Sequence, residues 1–135
     1  MEINFLAVAL AALSAFILGF VWYTLLFAKP WQKLIGMSEK DKGTGNAAQT
    51  PNLGRLLIGS LILEVIMAFN LAFFIGSEAT WQFGLFAGLA TGLGFVGLAL
   101  GVNYMYEGKS LKLWLINSGY NTVVFAVMGA IIGAF

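Results

Sequence analysis

Polar residues in this chain fall into a few short clusters, and four long apolar stretches run between them. The stretches extend from about Ile3 to Phe27, Leu53 to Ile75, Trp81 to Tyr104 and Leu111 to Phe135. Each matches the roughly 20 residues a helix needs to cross a hydrocarbon core about 30 Å thick. None alternates polar with apolar residues as a membrane barrel strand does. A helix bonds its own backbone, which lipid cannot do for it, so the runs are read as helices even where Gly and β-branched residues crowd the third and fourth. The pattern predicts an all-α integral membrane protein: a four-transmembrane-helix bundle of two helical hairpins, in one domain covering residues 1–135.

Three connections separate the spans. The longest, residues 28–52, opens with Lys29-Pro30-Trp31-Gln32-Lys33-Leu34-Ile35-Gly36, which reads as a short interfacial helix stopped by glycine. Ser38-Glu39-Lys40-Asp41-Lys42 and a flexible Gly43-Thr44-Gly45-Asn46 follow. The second connection, about Gly76 to Thr80, is short enough to make spans two and three a tight antiparallel hairpin. Span one ends Gly19-x-x-Trp22-Tyr23 and span three ends Gly101-x-Asn103-Tyr104, each followed by lysines. That echo fits a parallel repeat of two hairpins, and ordinary membrane-boundary composition fits it as well.

Composition agrees with the pattern: 60% of the residues are hydrophobic and 10% charged, against about 25% charged in a soluble domain. A net charge of +1 supplies no field that would draw nucleic acid. The first span is not expected to be a cleaved signal, because Glu2 rather than a basic segment precedes it and its apolar run is too long. All seven basic residues lie on one side of the predicted membrane: Lys29, Lys33, Lys40, Lys42 and Arg55 around the first connection, Lys109 and Lys112 around the third. The positive-inside rule makes that side cytoplasmic and puts both termini outside. Trp22, Tyr23, Trp31, Tyr104, Tyr106 and Trp114 form an aromatic belt at the same boundary, and Trp81 marks the other.

Most enzymatic chemistry is absent from the residue inventory. The chain has no Cys and no His, which removes His-based nucleophile pairs and nearly all zinc sites. Ser14, Ser60 and Ser118 lack a histidine base, no phosphate loop is present, and carboxylates are too few for calcium or a two-metal centre. Neither a catalytic residue nor a metal or cofactor is expected.

Glu64 is the exception to the apolar spans. At 1.5 Å per residue it sits roughly 16 Å into the membrane, where an exposed charge costs at least a few kcal/mol. Burial disfavours the charged form, so a neutral, hydrogen-bonded carboxyl is expected, serving either to join helices or to carry a proton or cation. Asn117 and Asn121 share a face at spacing i, i+4 and lie roughly 9 and 15 Å deep. Asn121 is thus level with Glu64, and Asn117 with Tyr23 and Tyr104. Glu64, Asn117, Asn121 and Tyr23 are the candidate lining of one polar pocket open to the cytoplasm; the alternative is plain interhelical bonding. Gly84, Gly88 and Gly92 repeat at spacing four, with Gly129 and Gly133 on span four. Such spacing lets helix backbones approach closely, either inside one subunit or between copies in a homo-oligomer.

The stretch Gly19-x-x-Trp22-Tyr23-x-x-Leu26-Phe27 with Trp31, Gly36 and Gly45-Asn46 resembles the small four-helix membrane proteins catalogued as domain of unknown function 1761. So does Tyr106-Glu107-Gly108-Lys109-Ser110-Leu111-Lys112-Leu113-Trp114-Leu115-Ile116-Asn117-x-Gly119-Tyr120. The likeness covers nearly the whole chain. It departs at Thr24-Leu25, where a Ser-Pro pair is expected, and at Asn121, where a more ionisable residue is. The resemblance implies a four-helix architecture in a bacterial cytoplasmic membrane and no particular activity. The function expected is that of a small non-enzymatic packing, scaffold or binding subunit, associating with lipid, with itself or with a partner membrane protein. The alternative is an oligomeric transporter or channel for a proton, cation or small amphiphile that uses Glu64.

Overall fold

The computed structural model describes residues 2–36 and 52–135. It contains five helices: α1 (Phe5–Leu26), α2 (Ala28–Leu34), α3 (Leu53–Ile75), α4 (Trp81–Glu107) and α5 (Leu111–Ala134). All but α2 are long and apolar enough to cross a membrane. The polar stretch Ser38–Lys42 and the Gly43-Thr44-Gly45-Asn46 segment lie outside the described residues.

Each span starts on a side-chain cap. Asn4, Asn52, Thr80 and Ser110 accept from the backbone N–H three residues on, each at 3.2 Å. These bonds satisfy amides that have no partner within the helix. The ends turn on glycine: Gly76 at φ 83° closes α3 and Gly108 at φ 66° closes α4, conformations that a Cβ would strain. Within α1 the backbone widens to π-helical pairing over Val21–Leu26, and within α4 over Gly92–Gly97. The Thr24 hydroxyl donates back to the Phe20 carbonyl in the first of these.

Span four, α5, is the centre of the bundle. In its most apolar window 44% of the residues are buried, against 28% in α1 and 17% in each of α3 and α4. It packs on α1, α3 and α4. The α1 face against it and α3 is nearly all small: Val8, Ala11, Ala12 and Ala15 are fully or almost fully buried. Ala68, Leu71 and Ala72 of α3 and Val124, Phe125 and Met128 of α5 complete this core. Large apolar side chains point outward instead, Phe74 at 83% and Phe95 at 74% exposure among them. Water would not tolerate such a surface, and hydrocarbon does.

Spans two and three are joined by the short connection foreseen, yet they touch only sparingly. A short loop brings two helix ends together; the surfaces along their lengths choose the partner. The surface that wins is the glycine face of α4, which lies on α5. A Cβ at Gly84 would run into the Gly129 carbonyl and one at Gly88 into the Phe125 carbonyl, while one at Gly92 would lie 2.6 Å from the Asn121 oxygen. Gly129 and Gly133 answer from the other side, where a Cβ would meet the Gly84 and Thr80 carbonyls. The face that was open to pairing between copies is thus occupied within the subunit, and the architecture is two hairpins, α1 with α3 and α4 with α5.

Candidate functional site

The two stretches that carried the resemblance mate with each other. At the basic end of α1, Trp22 Nε1 donates to the Ile116 carbonyl of α5 at 3.0 Å. The next residue, Tyr23, donates from its hydroxyl to Asn117 Oδ1 at 2.6 Å. Asn117 in turn donates from Nδ2 to the Tyr104 hydroxyl of α4 at 2.6 Å. One asparagine therefore ties three spans with two short bonds. Glycine makes room on both sides: a Cβ at Gly119 would lie 3.3 Å from the Trp22 ring, and one at Gly19 would lie 3.0 Å from the Tyr120 hydroxyl. Trp31 of α2 packs on Tyr23 with centroids 4.8 Å apart, which seats the short helix on this cluster.

Glu64 lies deeper, between α3, α1 and α5, and is 7% exposed. Its Oε1 is 3.5 Å from the Tyr120 hydroxyl, which is also 3.4 Å from the Ala15 carbonyl. One phenolic proton cannot serve both acceptors well, and both contacts are long. Oε2 is buried with no hydrogen-bond partner among the described residues. Asn121, although level with Glu64, instead donates to the Asn117 carbonyl of its own helix at 2.9 Å. The four candidate residues thus form two groups, Tyr23 with Asn117 and Asn121 in one and Glu64 in the other. Tyr120 stands between the groups, its ring 5.1 Å from that of Tyr23. Sequence reasoning passed over Tyr120. Its signal was a long, polar-tipped side chain on span four between the two asparagines, one residue from Asn121.

An open cavity of about 610 Å³ lies at the opposite end, lined by Ile75, Gly76, Ser77, Glu78, Ala79, Thr80 and Phe83, and Glu64 is not among its lining residues. Near the basic end Trp114 Nε1 donates to the Gly97 carbonyl at 2.8 Å, reaching the widened turn of α4. Outside the spans, Lys109 lies 2.9 Å from the Glu107 carboxylate, which holds its ammonium above the usual lysine range. Among the described residues no group of acidic side chains is arranged to hold a metal ion.

Four apolar helices joined by half-buried interhelical polar contacts and one buried carboxyl, with bulky side chains turned outward, define an α-helical integral membrane protein. More particularly, the chain belongs to the family described as protein of unknown function (DUF1761), which matches residues 6–133. No curated protein and no solved structure matches it.

Proposed function

We propose that this chain is a small non-enzymatic membrane subunit that packs, scaffolds or binds. The observation that supports this reading is where its polar atoms go. Tyr23, Trp22, Asn117 and Tyr104 bond across helices, and Glu64 is held between three of them, away from the open cavity. Interhelical bonds of this kind contribute about 0.6 kcal/mol each on average in a membrane, enough to set helix register without chemistry. The setting proposed is a bacterial cytoplasmic membrane with both termini outside. The partner is a second copy or another membrane protein, met through a face other than the Gly84, Gly88, Gly92 one.

One observation favours the second reading, an oligomeric transporter: among the described residues, one buried oxygen of Glu64 has no partner. Reconstitution separates the two. Wild type and Glu64→Gln, each in vesicles with a trapped pH dye, are exposed to a pH step. The subunit reading expects proton entry equal to protein-free vesicles for both. Proton entry in the wild type that disappears in Glu64→Gln would establish transport instead.

A further inference from the structure

The basic end of the molecule is electrostatically unbalanced by its own groups. Lys29, Lys33, Arg55, Lys109 and Lys112 are all exposed there. Glu107 is the one acid described at that end, and it is engaged by Lys109. Residues 37–51 add Lys40 and Lys42 but also Glu39 and Asp41, so by sequence they leave the surplus unchanged.

Local structure arranges this surplus. In α2, Lys29 and Lys33 stand one turn apart on the exposed face, while Trp31 between them turns in onto Tyr23. Arg55 and Lys112 occupy the first turns of α3 and α5, and neither turn contains an acid. A cation there opposes the positive end of its own helix dipole, so an anion from outside would relieve both. Trp31 anchors α2 on Tyr23; Trp and Tyr of membrane proteins concentrate at headgroup level, and the α2 lysines beside this pair would lie at that level.

We infer that this end is a docking surface for anionic phospholipid headgroups, with Lys29 and Lys33 as the principal phosphate contacts and Arg55 and Lys112 beside them. The recognition is charge complementarity at headgroup depth, and it distinguishes anionic from zwitterionic lipid.

The test uses the full chain in phosphatidylcholine vesicles with trace spin-labelled phosphatidylglycerol or spin-labelled phosphatidylcholine. Electron paramagnetic resonance reads the fraction of each label restricted by the protein. The wild type should restrict phosphatidylglycerol severalfold more than phosphatidylcholine, and added salt should erode the difference. Lys29→Gln with Lys33→Gln should lower the preference, by at most about fivefold per lysine. Lys29→Arg with Lys33→Arg should keep it. Equal restriction of the two labels by the wild type, indifference to salt, or a preference unchanged in the Gln pair would each overturn the proposal. The salt arm uses the wild type alone and decides even if a variant folds poorly.

Discussion

The contact between α4 and α5 is backbone on backbone, and that makes Gly88 the most informative single position. Adding one methyl, Gly88→Ala, places a Cβ against the Phe125 carbonyl, 2.6 Å from its carbon and 2.9 Å from Ala126 Cα. The Phe125 carbonyl oxygen is nearer still, and ordinary contact begins near 3.4 Å, so the helices must separate by more than about 1 Å. No flexible side chain can yield instead. Separation loosens the dispersion contacts along the whole seam, and overpacking of this kind costs typically 1–3 kcal/mol. Because only rigid movement relieves it, about 3 kcal/mol is the apt figure. Replacing Gly by Ala in a helix returns about 0.5–1 kcal/mol of backbone entropy. The net loss is therefore about 2 kcal/mol. Gly94 supplies the control, since a Cβ there meets nothing within 4 Å, and Gly94→Ala should be neutral or slightly stabilising. Unfolding in mixed micelles, titrated with sodium dodecyl sulfate and followed by circular dichroism, measures both. Mass in mild detergent, measured in parallel, should be the same for wild type and Gly88→Ala. If Gly88→Ala unfolds like Gly94→Ala but converts an oligomer to monomer, the glycine face joins copies and the intramolecular assignment is wrong.

Two further expectations concern Glu64 and topology. Glu64→Gln preserves shape and should unfold within about 0.5 kcal/mol of the wild type, whereas Glu64→Leu should lose about 1 kcal/mol, because the Tyr120 contact it removes is long; a Gln variant less stable than the Leu variant would refute a neutral, hydrogen-bonded carboxyl. Single cysteines at Glu2, Gly43 and Gly108, treated with an impermeant thiol reagent on intact cells, should be labelled at Glu2 and protected at Gly43 and Gly108; the reverse pattern inverts the proposed orientation.

Much of this architecture is written locally in the chain, and the medium explains why. Lipid offers no partner to a backbone amide, so length and apolarity alone commit residues 53–75 or 111–134 to helix. The cap residues Asn4, Asn52, Thr80 and Ser110 mark where those helices begin. The lone acid at 64 and the small-residue spacing at 84, 88 and 92 also stand out from sequence. What sequence cannot supply is azimuth. Counting residues placed Asn121 at the depth of Glu64, but one residue along a helix is a rotation of about 100°, and it is Tyr120 that faces the carboxyl. Widened turns in α1 and α4 shift the phase further. Pairing along the helices is likewise a tertiary decision. The glycine face of α4 suits any close neighbour, and only the presence of Gly129 and Gly133 opposite it gives that neighbour as α5. The same holds for Trp22 and Gly119, and for Tyr23 and Asn117, which are separated by 94 residues or more and meet because α5 runs through the middle of the bundle. A periodic pattern states which face of a helix can be buried; which partner buries it depends on the shape of every other face at once.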